Sequence, residues 1–191
     1  MDVSTYVLLG LLVLALGYCV ILYNNLVALK HRVAQAWANI DVLMKQRHDE
    51  LPKLVETCKQ YMQYEQETLE RVIRARSAVS AARQRHDVAE LDSAENELRL
   101  GLGSLFALAE SYPDLKADTS FQNLQARISE LENAIADRRE FYNEAVNRNN
   151  VRIEQFPDVL LARLFNFPPH SLLRFEASDL ADVDVGALFK R

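Results

Sequence analysis

The sequence predicts an all-α protein, an antiparallel up-and-down helical bundle of long helices preceded by a single N-terminal transmembrane helix. Three observations lead there. Between Asp2 and Lys30 no side chain carries a charge, and Tyr6–Tyr23 (YVLLGLLVLALGYCVILY) is almost wholly apolar. Beyond it, apolar residues recur at spacings of three and four, the mark of helices with one buried stripe. Glycine and proline number five each, whereas Ala, Leu, Glu, Gln and Arg dominate, a composition that favours helix.

The N-terminal segment comes first. Eighteen residues at a helical rise reach roughly 27 Å, close to the thickness of a bilayer's hydrocarbon core. A secretory signal peptide calls for a basic start and a small-residue cleavage site. Here the segment opens with Asp2, and Tyr23-Asn24-Asn25-Leu26 follows it. Leu16-Gly17-Tyr18-Cys19 resembles a lipoprotein cleavage site, but Tyr18 is too bulky for the position before the cysteine. The expectation is an uncleaved anchor, with Tyr6 and Tyr23 at the two interfaces. Gly10 and Gly17 share one face, a weak signal for close packing of two spans. Lys30, Arg32, Lys45 and Arg47 follow the span and no Lys or Arg precedes it. The positive-inside bias then puts the N-terminus outside and the helical domain in the cytoplasm. The chain divides into an anchor (1–25), a bundle domain (26–167) and a poorly ordered C-terminal tail (168–191).

In the bundle domain the first stripe is Val33, Trp37, Ile40, Met44, Leu51, Leu54, Cys58, Tyr61, Leu69, Val72, Ile73 and Val79. Pro52 interrupts it. Proline suits a first helical turn and disfavours helix at the residue before it, and Asp49 is an available cap. The chain either reverses at Pro52 or kinks. The stripe keeps phase across it, since Val33 to Leu51 and Leu51 to Leu69 are each five turns, which favours a kink. Segment lengths favour a reversal: 24–50, 52–83, 87–111 and 119–156 are comparable and suit four alternating helices.

A break falls near Arg85-His86-Asp87. The next stripe is Leu91, Leu98, Leu102, Leu105 and Ala109, in which Gly101 and Gly103 either weaken the helix or let a neighbour approach. Tyr112-Pro113-Asp114 forms a turn. Thr119 with Gln122 reads as a capping box. The last long helix carries Phe121, Leu124, Ile128, Leu131, Ile135, Tyr142, Val146 and Ile153, and Phe156-Pro157 stops it. Val159 to Phe167 is short and very apolar. It either caps the open end of the bundle or touches lipid or another subunit.

Residues 24–86 hold 11 Lys/Arg against 7 Asp/Glu, and residues 87–191 hold 11 against 19. The acidic distal half argues against nucleic-acid binding. The basic proximal half suits either anionic lipid heads or an opposing acidic helix face. Cys19 lies in the span and Cys58 in the bundle, so they are not disulfide partners and form no thiol metal site. His31, His48, His86 and His170 follow no ligand spacing. Neither a Gly-rich phosphate loop nor a G-x-S-x-G elbow occurs. Pairs such as Asp49/Glu50 and Glu130/Glu132 fit solvated helix faces. The expectation is therefore no catalytic, cofactor-binding or metal-ligating residue, no cofactor and no small-molecule substrate.

Three polar residues fall on the apolar stripes: Arg47, Arg138 and Asn149. Buried, they need partners and fix register or oligomer state. Asp41 or Glu65 could pair with such an arginine. Otherwise these side chains reach the rim of the bundle.

Specific residues resemble the LemA family. They begin with Tyr23 to Leu29, Ala36-Trp37, Ile40-Asp41-Val42 and Lys45-Gln46-Arg47. Leu51 to Glu56, Tyr61, Glu65, Glu67 and Leu69-Glu70 continue the pattern. So do Leu105 to Ala117 (LFALAESYPDLKA), Phe121, Leu124-Gln125, Phe141-Tyr142-Asn143, Val146, Asn149-Asn150, Phe156-Pro157 and Phe175-Glu176-Ala177. The resemblance covers about residues 20–177. Gln60 and Asn166 stand where the family commonly has glycine, and His48 where it has an aromatic. The resemblance implies a bacterial protein with one N-terminal span and a helical-bundle domain, without established catalytic residues. Some relatives are tied to membrane-compartment formation and some accompany membrane peptidases of the HtpX type. The expectation is a non-enzymatic single-pass scaffold or assembly factor at the membrane surface, in contact with the bilayer and self-associating. The alternative is an adaptor subunit of a membrane enzyme.

Overall fold

A computed structural model describes residues 2–174 apart from His86. Among the described residues the secondary structure is helical: α1 (Val3–Tyr61), α2 (Gln66–Arg85), α3 (Val88–Ala109), α4 (Pro113–Ala117), α5 (Thr119–Glu154) and α6 (Asp158–Leu164). The chain divides into two compact units. The described part of the first comprises residues 2–46 and 130–172, and that of the second 47–129 and 173–174. The helices α1 and α5 contribute to both.

The reversal at Pro52 does not occur. The helix α1 passes through Pro52 and ends nine residues later at Tyr61, and α2 starts at Gln66. Two facts explain why proline is tolerated. Its ring lies on the exposed side of the helix, while Leu51, Leu54 and Val55 face the core. The bond it cannot make leaves the carbonyl of His48 without its backbone donor. Arg76, on α2, supplies the replacement by donating Nε–H to that carbonyl at 3.0 Å. The in-phase stripe was the right signal and the segment lengths the wrong one. Asp49 is consequently mid-helix and caps nothing.

The second unit packs α2 along α3. Met44 and Met62, one on either side of the unit boundary at residue 47, are each buried like their apolar neighbours. Leu54, Cys58, Val72, Ala82, Leu98, Leu105 and Leu115 are fully or almost fully buried, each large side chain worth about 1.5–3 kcal/mol of transfer free energy. Burial pushes the Cys58 thiol up to about 11. Gly101 is buried beside α2, but a Cβ there would stand 3.5 Å from Val72 Cγ2, an ordinary contact, so the approach is not one that only glycine permits. Ile73 alone of the first stripe is more than a third exposed.

Caps set the boundaries. Asp87 accepts the Glu90 amide at 3.0 Å and starts α3. The expected turn at Tyr112-Pro113-Asp114 is the start of α4, with Pro113 in the first turn where its missing N–H costs nothing. The cap of α5 is Asp118 rather than Thr119: its Oδ1 accepts the Phe121 amide at 2.9 Å, and its backbone is extended, as a cap requires. Gln122 donates its side-chain amide to the Lys116 carbonyl instead of closing a box on Thr119.

In the first unit, Val33, Ile40, Ile135, Tyr142 and Val146 are buried, and Trp37 meets Tyr142 edge to face at 5.5 Å. Residues 168–172 are not helical but are tied down. Asn150 donates to the His170 carbonyl and accepts its amide, and Tyr142 donates to the Ser171 carbonyl at 3.1 Å. In the second unit the Arg174 amide donates to Asp92. The rest of the expected tail, 175–191, lies outside the described residues.

Candidate functional site

The polar residues on the stripes were the sequence's best candidates. Arg47 is completely buried, and its Nη2 lies 2.5 Å from Oε1 of Glu95, itself 4% exposed. Glu95 was not among the partners that the sequence suggested, Asp41 and Glu65. Glu95 escaped notice although the signal was present: it stands between Leu91 and Leu98 on the stripe of α3. Arg138 is exposed, with its guanidinium 5.6 Å from the Phe141 ring centroid, so it reaches the rim. Asn149 is buried and donates to Asn150, the residue that holds His170. Here the polar intrusion tethers the segment after α6.

Residues from separate family motifs meet in the second unit. Tyr61, at the end of α1, donates its hydroxyl to Asp118 Oδ2 at 3.1 Å. Tyr112, preceding α4, donates to Glu65 Oε1 at 3.3 Å. The Phe121 amide and the Tyr61 hydroxyl hold the Asp118 carboxyl below its usual range. The Asp118 bond holds the Tyr61 phenol above its own, and for Tyr112 burial and then Glu65 do the same. These bonds close the α1–α2 turn onto the α4 segment and explain why the motif residues are polar: they are structural ties.

His48 lies beside Arg76, whose Nη2 is 2.7 Å from the ring Nε2. An arginine only donates, so Nε2 accepts and the ring is neutral with its proton on Nδ1. Burial and then the Arg76 charge lower the His48 pKa. His170 is bound through its backbone in the first unit, His31 is exposed, and His86 lies outside the described residues. Among the described residues no group of three His, Cys, Asp or Glu side chains gathers as metal ligands would.

The feature best suited to making outside contacts lies in the first unit. The N-terminal part of α1 has an 18-residue stretch of mean hydropathy 2.4 that is 6% buried, long and apolar enough to cross a membrane. Next to its end, α6 packs back on the helix pair. Leu26 of α1, Ile153 of α5 and Ala162 of α6 form a buried cluster, joined by Leu161 and Phe167. Tyr23 meets the rings of Phe165 and Phe167 edge to face at 4.8 and 5.9 Å. Leu160 and Leu164 leave another edge of α6 bare, both more than half exposed, and Phe165 is half exposed beside its contact with Tyr23. The apolar segment thus covers its neighbours with one face and offers the other outward.

Two backbone and side-chain devices fix α6. Asp158, 2% exposed, takes the Nε–H of Arg152 at 2.7 Å. At the other end, the Phe167 amide donates to Ala162 and the Asn166 amide to Arg163, a Schellman closure with Asn166 in the left-handed region at φ 54°. The family's common glycine at this position has its reason here, and asparagine is the next best occupant.

Residues 36–186 match the LemA family. The chain is 28% identical over 163 residues to the Protein LemA of Metamycoplasma hominis, covering 85% of this chain and 72% of that one. It is 35% identical over 66 residues to the magnetosome proteins MamQ 1 and MamQ 2 of Paramagnetospirillum magneticum, covering 35% of this chain. That match spans about a quarter of the length of those two relatives (24%). With the match extending over most of its helical part, the chain belongs to the LemA family.

Proposed function

We propose that this is a membrane-anchored, non-enzymatic scaffold or assembly factor that works at the membrane surface and self-associates there. The observation that carries the reading is the apolar stretch of α1, 6% buried. So large an uncovered apolar surface is stable only in lipid or against another protein. Family membership and the magnetosome relatives support association with a membrane. The bare edge of α6 beside Tyr23 supports a role at its surface, because a lipid interface or a second copy would cover Leu160, Leu164 and Phe165. The Lys and Arg residues that follow the stretch support an external N-terminus and a cytoplasmic helical domain.

Alkaline carbonate extraction tests the anchor: the full-length protein stays with the membrane pellet, and release into the supernatant overturns the reading. Crosslinking in native membranes tests self-association. A ladder of self-multiples is the expected result, and monomers alone sink it. A second reading, an adaptor subunit of a membrane enzyme, draws on the association of some family members with membrane peptidases. Purification in mild detergent separates the two, since the adaptor brings down a stoichiometric second protein.

A further inference from the structure

Directly beyond the apolar stretch, α1 and α5 enclose a groove of about 480 Å³. Ala28, Leu29 and Arg32 line it from α1, and Arg148, Val151 and Arg152 from α5. Three apolar residues and three arginines thus share its lining. Arg32 forms no ion pair among the described residues. Arg148 pairs with Glu144 in an exposed i,i+4 contact, the kind that is easily exchanged for another anion.

Arg152 is different. The buried carboxylate of Asp158 holds its Nε, and its two Nη groups make no hydrogen bond among the described residues. A buried carboxylate is costly to keep. Here it fixes the plane of one guanidinium while leaving the bidentate end of the fork available. That end matches the geometry of two phosphate oxygens.

The position of the groove narrows the ligand. Arg32 is nine residues past Tyr23, about 13 Å along the helix, and Ala28 about 7 Å. With Tyr23 at the edge of the hydrocarbon, Ala28 lies within the headgroup layer of roughly 5–8 Å on that side and Arg32 just outside it, where its long side chain can reach back to a phosphate. Leu29 and Val151 suit the carbon atoms of a headgroup, and the arginines suit its phosphate.

We propose that this groove binds the phosphate of an anionic phospholipid, with Arg32, Arg148 and Arg152 as its contacts and Asp158 as the positioning residue for Arg152. The inference rests on the membrane-anchored reading. The site would fix the rotation of the protein about its span and enrich anionic lipid around it.

The test uses the full-length protein in a neutral detergent. Native mass spectrometry follows retention of phosphatidylglycerol and phosphatidylcholine, with inorganic phosphate as competitor. Phosphatidylglycerol is expected to be retained preferentially. Each arginine removed should weaken that preference about five-fold, as expected for one cationic contact at an anionic surface. Arg32→Gln, at an exposed position, is the variant least able to disturb folding; Arg152→Gln and Asp158→Asn follow, with helicity checked by circular dichroism. Arg152→Lys, which keeps the charge but not the fork, should fall between wild type and Arg152→Gln. Equal retention of the two lipids, or a preference unchanged in Arg32→Gln, overturns the proposal. Displacement of phosphatidylglycerol by millimolar inorganic phosphate also overturns it, because the ligand is then a free anion. Carbonate extraction of the native protein separates this outcome from failure of the anchor: no lipid preference in the native protein with retained membrane integration rejects the groove alone, whereas release into the supernatant rejects the anchored reading.

Discussion

Arg76 donates its Nε–H to the backbone carbonyl of His48, the one carbonyl of α1 whose helical donor is missing because Pro52 has no N–H. The contact joins two helices by repairing a defect in one of them. It accounts for a proline inside the apolar stripe that runs from Val33 in α1 to Val79 in α2, without requiring the chain to turn there.

The first prediction is a double-mutant cycle. Arg76→Met leaves the carbonyl of His48 unsatisfied and should cost about 1–3 kcal/mol. Pro52→Ala restores the native helical N–H to that carbonyl. In the Pro52→Ala background, Arg76→Met should therefore cost much less. Thermal unfolding of the four proteins, followed by circular dichroism, measures the coupling. Strict additivity would show that Arg76 acts only through packing or charge.

The same arginine makes stability depend on pH. The His48 pKa is lowered by burial and then by Arg76, with Arg83 and Arg47 acting in the same direction and Asp49 against them. The unfolded chain therefore takes up the proton more readily than the folded one. The contribution of His48 is fully present above the unfolded value of about 6.5. It is lost as the pH falls from there through the lower folded value, because a protonated ring cannot accept from Arg76. Melting temperature should drop between pH 7.5 and pH 5 in the native protein. His48→Gln, whose amide oxygen still accepts but does not titrate, should flatten that drop. An unchanged slope in His48→Gln would assign the pH dependence to other groups.

The buried ion pair gives a third prediction. Removing one partner leaves the other charged in the core, so Glu95→Leu or Arg47→Met alone should cost about 3–5 kcal/mol. The double variant Arg47→Met/Glu95→Leu should recover most of that loss, since an apolar pair of similar volume needs no compensation. Urea unfolding of the three variants decides. If the double variant is as unstable as the sum of the singles, the pair has no mutual dependence and the burial of Arg47 needs another explanation.

These three cases show what the sequence revealed and what it did not. Periodicity identified every buried apolar position of α5 and most of those of α1 and α3, where it passed over Leu22, Leu26, Val55 and Ala94, because a helix in water must bury its apolar stripe. It also marked Arg47 and Asn149 as anomalies. It did not name their partners. Glu95 lies 48 residues from Arg47 and Arg76 lies 28 from His48, and pairing at such separation depends on tertiary register, which one chain's pattern does not encode. Pro52 misled because its local rule is a preference that a side chain from another helix overrides. The cap of α5 was misread by one residue: Asp118 and Thr119 are both good caps, and backbone conformation chooses between them. The apolar run of 159–167 announced either a cap on the helices or an outside contact, but only the fold puts Asp158 behind Arg152.

The closure of α6 supplies the last prediction. Asn166 adopts φ 54°, a region that most side chains enter only at a cost and glycine enters freely. Asparagine bears less of that cost than other residues, but it still bears some. Asn166→Gly should therefore stabilise the protein slightly, by up to about 1 kcal/mol, with both closing hydrogen bonds from Asn166 and Phe167 retained. Asn166→Val should do the opposite and by more, since a β-branched side chain is poorly tolerated there. Because the closure seats Phe167 against Ala162 and beside Tyr23, loosening it should also free the ring contacts of Tyr23. Hydrogen exchange over residues 158–167 in the full-length protein reads this directly. Protection should rise in Asn166→Gly and fall in Asn166→Val, while α2 and α3, in the other unit, keep theirs. A fall in protection across α2 and α3 as well would mean that the closure supports the whole molecule and not α6 alone.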